Sequence, residues 1–197
     1  MKRQSVISLI LTLCLGAAAL LTGCNAPISD SAASEPSQTA ATAIAADSSA
    51  EAPSADGYTM ADIAKLNNTQ NFAKNTLEHI FDGTINGKGK ATGYHYAGMT
   101  DSKGKIIGGT ESKKDKNGVY TAKVKVNGVK KEGFSTFYPD EWTPQQVVDA
   151  INTAYDDALS NSDNPHGSLW IGYSGDLEID MYLNNSKKIT TAFPVKQ

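Results

Sequence analysis

Hydrophobic and polar residues alternate along several segments in the second half of the chain. Over residues 119–126, one set of alternate positions is Tyr, Ala, Val and Val, and the other set is Val, Thr and two lysines. A period of two is that of a β-strand with one buried face. Similar patterns predict further strands at residues 134–138, 169–173, 177–183 and 188–193. The short polar turns between the last three strands favour antiparallel pairing.

Helical periodicity is strongest after Thr143. Thr143 and Gln146 have the spacing of a capping box, and Pro144 occupies the first helical position. The apolar residues that follow form one stripe: Val147, Ile151, Ala154, Tyr155 and Ala158. A mixed helical pattern over residues 68–80 places His79 at the end of an earlier helix. Helices joined to strands with short connections predict an α+β fold with antiparallel sheets.

The first 23 residues have the pattern of a secretory leader. Basic residues at the start precede an apolar run over residues 6–21, and the tetrapeptide Leu-Thr-Gly-Cys ends at Cys24. The small residues before Cys24 resemble a bacterial lipobox, which implies a diacylated Cys24 and a membrane lipoprotein on the extracytoplasmic face. A plain secretory signal and an uncleaved membrane anchor are the alternatives. All three place the rest of the chain outside the cytoplasm.

Residues 24–57 predict a disordered tether, and residues 58–197 predict one folded domain. The tether is rich in Ala, Ser, Thr, Pro and acidic residues and contains no lysine or arginine. It therefore has too little apolar surface to offset the entropy of ordering. The second segment has the size of a typical domain. It contains no cysteine, so we expect packing alone to stabilise it.

Charge is distributed unevenly within the predicted domain. Residues 88–131 contain eleven lysines and three acidic residues, whereas residues 132–197 contain three lysines and ten acidic residues. A lysine-rich segment beside a glycine turn can attract a phosphate backbone. Lysines on exposed strands also serve solubility, so the charge pattern alone leaves both interpretations open.

Two of the three histidines, His79 and His95, lie on either side of a glycine- and lysine-rich turn. Histidine gives and takes protons near neutral pH, so a pair is suited to acid–base catalysis at one bond. The alternatives are structural histidines and a metal site. No cysteine lies nearby in the sequence, and Glu78 and Asp82 do not have a zinc-protease spacing. We therefore predict no bound metal.

The segment EHIFDGTINGKGKATGYH at residues 78–95 resembles the paired-histidine segment of the EndoU-type endoribonucleases. That family includes bacterial toxin domains, animal poly(U)-specific enzymes and the coronavirus uridylate-specific endonuclease. Three further segments resemble the bacterial members in the same order: NGVYTAKVKV at 117–126, KKEGFSTFYPDEWTPQQVVDAI at 130–151 and ITTAFPVKQ at 189–197. The resemblance implies an EndoU-like fold, in which antiparallel β-sheets carry helices on their outer faces and the site lies in the groove between them.

The resemblance also implies roles for the candidate catalytic residues. His95 corresponds to the family histidine described as general base, and His79 to the one described as general acid. Lys131 corresponds to the lysine that stabilises charge on the phosphate, with Lys130 as the alternative. Gly93 corresponds to a glycine whose backbone can approach the phosphate.

Substrate-binding residues are implied on two segments beside Gly93. Ser135 and Thr136 match the region that helps to recognise uracil, and Thr191 and Phe193 match the closing strand. The family commonly has tyrosine at the position of Phe193. Base stacking is therefore kept here, while the hydrogen bond of the phenol is lost.

The implied activity is cleavage of single-stranded RNA at uridines by the RNA's own 2′-hydroxyl, which leaves a 2′,3′-cyclic phosphate. This chemistry requires no cofactor, although Mn²⁺ stimulates some family members. With the leader, we expect a secreted, lipid-anchored enzyme whose partners are RNA and, through Cys24, the membrane, with no obligate protein partner. The alternatives are a non-catalytic nucleic-acid-binding or surface lipoprotein on the same fold, and an antibacterial toxin nuclease, which would need a cognate immunity protein.

Overall fold

The computed structural model describes residues 57–197; the predicted leader, Cys24 and almost all of the predicted tether lie outside the described residues. The helices of this part are two 3₁₀ helices, Met60–Lys65 and Thr69–Asn71, and two α-helices, α1 (Thr76–Phe81) and α2 (Pro144–Ser160). None of the helices in residues 57–197 is long and apolar enough to cross a membrane.

Ten short strands make up the rest of the regular structure in residues 57–197. The strands are β1 (Thr84–Ile85), β2 (Ala91–Thr92), β3 (Gly104–Ile106), β4 (Tyr120–Ala122), β5 (Val124–Val126), β6 (Val129–Lys130), β7 (Ser135–Phe137), β8 (Leu169–Ser174), β9 (Leu177–Leu183) and β10 (Ile189–Pro194). They pair antiparallel in four sheets, β1-β2, β3-β5-β6, β4-β7 and β8-β9-β10. The predicted α+β class with antiparallel sheets is confirmed.

The long helix α2 begins where the sequence predicts. Thr143 Oγ1 accepts a hydrogen bond from the Gln146 amide at 3.1 Å, and the Thr143 amide donates to Gln146 Oε1 at 2.8 Å. A cap of this kind contributes about 1 kcal/mol. The predicted apolar stripe is buried and packs against β8. A side chain at Gly172 would place Cβ only 1.9 Å from the carbonyl oxygen of Ala154, so the glycine permits the close approach of strand and helix.

The first helical segment is shorter than the sequence suggests. Asn75 has a left-handed backbone with φ of 65°, which interrupts a continuous helix over residues 68–80. The turn Thr69–Asn71 is therefore separate, and α1 begins only at Thr76. His79 lies in the last turn of α1, as predicted.

The alternating segment 119–126 is divided between two sheets. Tyr120–Ala122 pairs with β7, whereas Val124–Val126 pairs with β3 and β6, and Lys123 lies between the two strands. The alternation is confirmed over residues 120–126, because Tyr120, Ala122, Val124 and Val126 are all buried in a second core. Val119, at the start of the predicted strand, is also buried, but in the other core. The single predicted strand is thus two strands that keep one buried face but have different partners.

Candidate active site

Backbone hydrogen bonds join the end of α1 to the segment that carries the second histidine. The amide of Tyr94 donates to the carbonyl of His79 at 2.9 Å, and the amide of His95 donates to the carbonyl of Ile80 at 2.7 Å. Carbonyls in the last turn of a helix have no partner within the helix. Here the incoming segment satisfies two of them, and the backbone that carries His95 is held against the end of α1 that carries His79.

Gly93 allows this close contact. It has a φ of +73°, and a Cβ at this position would lie 2.2 Å from the His79 carbonyl oxygen and 2.8 Å from His79 Nδ1. Tyr94 then adopts a second left-handed conformation, with φ of 62°. Its buried ring packs edge-on against Phe137 at a centroid distance of 5.4 Å. A non-glycine residue at this φ is strained, and the packing of its ring holds it there.

His95 is oriented by a backbone carbonyl. Its Nδ1 lies 2.8 Å from the carbonyl oxygen of Thr136. A carbonyl can only accept, so Nδ1 carries the proton and the lone pair of neutral His95 is on Nε2. The ring of Phe193 stacks on the imidazole at 5.4 Å, with 23° between the planes. His95 is only 6% exposed, so the free nitrogen belongs to a fixed ring.

His79 is oriented by two threonine hydroxyls in series. Its Nδ1 lies 2.9 Å from Thr84 Oγ1, which lies 3.0 Å from Thr92 Oγ1. Thr92 Oγ1 in turn donates to the Thr84 carbonyl at 3.2 Å. Because that last acceptor cannot donate, one consistent arrangement of protons runs from His79 Nδ1–H to Thr84, from Thr84 to Thr92, and from Thr92 to the carbonyl. In this arrangement Nε2 of His79 is left for a substrate.

Lys131 is turned toward the histidines. Its ammonium donates to Ser135 Oγ at 2.8 Å and to the carbonyl oxygen of Gly93 at 3.0 Å. Ser135 Oγ donates to the same carbonyl at 3.1 Å. Gly93 therefore leaves no room for a side chain beside His79 and accepts a hydrogen bond from Lys131 through its carbonyl, so it lies between His79 and the lysine. Lys130 is exposed on β6.

Burial sets the protonation of the three ionisable groups. Burial and the charge of Lys131 lower the pKa of His79 to about 4. The same two causes lower the pKa of His95 to about 3, against the opposing effect of the hydrogen bond with Thr136. Burial also lowers the pKa of Lys131 to about 8. Near neutral pH both histidines are thus neutral in the free protein while Lys131 stays mostly charged.

Comparison with known proteins agrees with this arrangement. The family model described as bacterial EndoU nuclease matches residues 73–196. The chain belongs to the bacterial EndoU nuclease family. It is also 43% identical over 137 residues to a protein of Bacillus cereus named "Toxin". This match covers 68% of the chain but 25% of the relative, so the chain spans about a quarter of that protein's length. No solved structure matches the chain at a comparable level of significance.

The remaining predicted binding residues lie on two strands of the EndoU domain. Thr136 is on β7 and supplies its backbone carbonyl to His95. Thr191 and Phe193 are on β10, where they pair with Tyr182 and Asp180 of β9. Since residues opposite each other share a face of a sheet, Phe193 brings this face against His95.

Two residues of the EndoU site were not found from the sequence, namely Thr84 and Thr92. They pair directly across the β1-β2 hairpin. Counting outward by equal steps from the three-residue turn Gly87-Lys88-Gly89 would have paired them, but their role depends on where α1 ends. One further polar atom near Phe193 is unexplained: Asp180 Oδ1 is buried without a hydrogen-bond partner.

The acidic residues near the histidines in the sequence, Asp82 and Glu78, are not grouped with them as metal ligands. Asp82 forms an ion pair with Lys103 at 2.8 Å, and Glu78 is exposed. Within residues 57–197, no group of three or more His, Cys, Asp and Glu side chains is placed to hold a metal ion.

Proposed function

We propose that this EndoU domain is an endoribonuclease that cleaves single-stranded RNA by attack of the 2′-hydroxyl on the adjacent phosphorus. The observation that carries the proposal is the arrangement around Gly93, where two neutral, oriented histidines and a half-buried lysine are held together. Such a set supplies a base, an acid and a charge stabiliser for one reaction.

His95 is the base in this proposal. Its Nε2 takes the proton of the 2′-hydroxyl, and O2′ forms a bond to phosphorus. The low pKa of His95, about 3, keeps it unprotonated over the whole neutral range. The stacking of Phe193 on the ring and the bond to Thr136 limit its rotation.

His79 is the acid. It protonates the leaving O5′ as the P–O5′ bond breaks, so the products are a 2′,3′-cyclic phosphate and a 5′-hydroxyl. With a pKa of about 4, His79 must first gain a proton, and an adjacent phosphate anion favours the charged imidazolium. Lys131 stabilises the negative charge that builds on the phosphate oxygens.

Uridine preference is a further part of the proposal. Thr136 and Thr191 present hydroxyl groups at half-buried positions on β7 and β10, and hydroxyls can donate to the carbonyl oxygens of uracil. Phe193 provides a face for stacking. No metal is needed for this chemistry, and Mn²⁺ is proposed only as a stimulator.

We further propose that the enzyme is a lipoprotein anchored through Cys24 on the extracytoplasmic face of the cell membrane. The support is the basic start, the apolar run and the Leu-Thr-Gly-Cys tetrapeptide. The tether composition of residues 24–57 would let the domain reach RNA away from the bilayer.

A second candidate function is that of an antibacterial toxin nuclease with a cognate immunity protein. It is favoured by the 43% identity to the Bacillus cereus protein named "Toxin". The chemistry would be the same, and the two candidates differ in the cell that supplies the RNA. Expression without an immunity gene would stop growth of the producing cell only if the RNA is reached in its own cytoplasm.

The deciding experiment is incubation of the full-length protein with an end-labelled RNA that contains a single uridine. We expect cleavage after the uridine with a cyclic phosphate end, and no cleavage when that nucleotide is 2′-deoxyuridine. His79→Ala and His95→Ala should each lower the rate at least about a hundredfold, the usual effect of losing a positioned acid or base. Tight RNA binding without any cleavage would instead support the non-catalytic alternative.

A further inference from the structure

Three lysines form a row across the β3-β5-β6 sheet, and we refer to them as the lysine ladder. Lys105 on β3 pairs with Lys125 on the central strand β5, and Lys125 pairs with Lys130 on β6. All three are exposed, whereas Val124 and Val126 are buried on the opposite face. With strands about 4.8 Å apart, the row spans roughly 10 Å.

Nothing within residues 57–197 neutralises the lysine ladder. None of its members forms an ion pair in this part of the chain; the lysines that do are Lys65, Lys90, Lys103 and Lys114. Like charges directly opposite each other destabilise a sheet. The row therefore opposes folding slightly, and solubility would be served as well by lysines placed out of register.

An exposed aromatic residue lies beside the lysine ladder in the chain. Phe134 is 56% exposed, the highest value among the large hydrophobic side chains of the described region. The ammonium of Lys123, which precedes β5, lies 5.5 Å from the centre of the Phe134 ring. The pair combines a flat apolar face with a positive charge, which is the combination that stacks a base and attracts its phosphate.

Both features adjoin the candidate active site through the chain. Lys130 of the ladder is followed by Lys131, whose ammonium points inward to Gly93 and Ser135. Phe134 is followed by Ser135, which is fully buried. The one acidic residue of the intervening segment, Glu132, is paired with Lys90 of the histidine turn at 2.8 Å.

We propose that the lysine ladder and Phe134 form a binding surface for the single-stranded RNA that flanks the cleaved bond. The inference rests on the proposed ribonuclease function and adds a second region of contact to it. The ladder holds the phosphates of the flanking nucleotides, and Phe134 stacks one of their bases. Short substrates that end at the cleavage site do not reach this surface.

Substrate length provides the test. In the full-length protein, the triple variant Lys105→Gln, Lys125→Gln and Lys130→Gln should lower kcat/KM for an RNA of about twelve nucleotides but leave cleavage of a uridine-containing dinucleotide unchanged. For the long RNA with 2′-deoxyuridine at the cleavage position, the slope of log Kd against log salt should fall by about 2, since each lost phosphate contact on a single strand removes about 0.7.

Phe134→Ala gives an independent measurement. Loss of one stacked base should weaken binding of the long RNA about 5- to 150-fold, the factor that corresponds to about 1–3 kcal/mol. The salt slope should stay the same, because no phosphate contact is removed. Dinucleotide cleavage should again be unchanged.

The matched control is the triple variant Lys74→Gln, Lys113→Gln and Lys116→Gln. These three lysines are exposed and lie outside the ladder. Their substitution removes the same net charge as the ladder variant does. Equal weakening of RNA binding by the two triple variants would overturn the proposal, because net charge alone would then explain the effect. So would an unchanged affinity of the ladder variant for RNA together with a lost affinity for polyglutamate, which would assign the surface to an acidic protein.

The experiment distinguishes failure of the proposed RNA-binding surface from failure of the proposed ribonuclease activity. Ladder-dependent binding of the uncleavable RNA without cleavage of any substrate would keep the surface and reject the ribonuclease. Cleavage of the dinucleotide and the long RNA with equal efficiency in the wild type and the ladder variant would keep the ribonuclease and reject the surface.

Discussion

The imidazole of His95 donates a hydrogen bond from Nδ1 to the backbone carbonyl of Thr136, 41 residues later in the chain, at 2.8 Å. The carbonyl belongs to β7, a strand with Ser135 and Thr136 at adjacent positions. One strand therefore presents the carbonyl that orients His95 and the hydroxyl that binds Lys131. A shift of β7 by one residue would disconnect both, because the two groups alternate along the strand.

The two adjacent lysines provide a matched pair of variants. Lys131→Ala should lower kcat on a dinucleotide about 100- to 1000-fold, as expected for the loss of one donor to transition-state charge, with a smaller change in KM. Lys130→Ala should leave both constants unchanged, because its side chain is exposed on β6. Normal turnover in Lys131→Ala would move the phosphate-stabilising role to another residue.

Alanine substitutions at Gly93 and Gly89 distinguish the effect of a steric clash from that of backbone strain. Both have positive φ, but a Cβ at Gly89 has no atom within 4 Å, whereas one at Gly93 would lie 2.2 Å from the His79 carbonyl oxygen. Gly89→Ala should cost about 1–2 kcal/mol of stability for the left-handed conformation alone. Gly93→Ala should cost about 1–3 kcal/mol more from the forced displacement and abolish activity. Urea denaturation and the dinucleotide assay measure both, and equal effects of the two variants would contradict the proposed contact.

Thr84→Val tests how His79 is held. The imidazolium form of His79 donates from Nδ1 to the Thr84 hydroxyl, and a hydrogen bond to a charged group contributes about 1.5–3 kcal/mol. We therefore expect kcat to fall about 10- to 100-fold with KM unchanged. The basic limb of the pH–rate profile should move to lower pH, because the protonated acid is less stabilised.

Other threonines provide the controls for this prediction. Thr84→Ser should restore most of the activity, and Thr92→Val should have a smaller effect than Thr84→Val. The hydroxyl of Thr190 donates to the carbonyl of Tyr182 on β9 rather than to His79. Thr190→Val should therefore leave the pH profile as in the wild type. An unshifted profile in Thr84→Val would show that its hydroxyl only fills space.

Stability should fall in mild acid because of half-buried His79 and buried His95. The pKa values of His79 and His95 are lowered in the folded protein, from 6.5 to about 4 and about 3. Between these values and 6.5 the unfolded chain binds more protons than the folded one, so the free energy of unfolding increases with pH. The contribution is fully present above about pH 6.5 and is lost as pH falls, with a slope of at most about 2.7 kcal/mol per pH unit for two protons.

Urea denaturation at a series of pH values measures this slope. The double variant His79→Gln and His95→Gln should lose most of it. His166→Gln, a change at an exposed histidine, should retain it. A double variant with the slope of the wild type would show that other groups control acid stability.

The two cysteines test the lipid anchor. Cys24→Ala should abolish the diacylglyceryl modification and leave the protein unprocessed or released from membranes. Cys14→Ala, a change within the apolar run of the leader, should not. Detergent partitioning and the mass of the mature protein distinguish the two, and identical results for wild type and Cys24→Ala would contradict the lipoprotein proposal.

The sequence by itself determined the elements whose signals are local. The capping box at Thr143, the buried stripe of α2 and the bounds of β9 were all predicted, because each depends on residues within a few positions of one another. The paired histidines and the family followed from motif order. The alternation over residues 119–126 predicted which side chains are buried, but it contains nothing about their partner strands.

Tertiary structure decided which atoms meet. The division of residues 119–126 between two sheets, the contact of Gly93 with His79, and the inward direction of Lys131 rather than Lys130 all depend on strand register and on where α1 ends. So does the choice of Nε2 as the free nitrogen of His95, since the carbonyl that occupies Nδ1 is 41 residues away. Local patterns carry no information about such contacts, because segments far apart in the chain are positioned by the packing of the whole core.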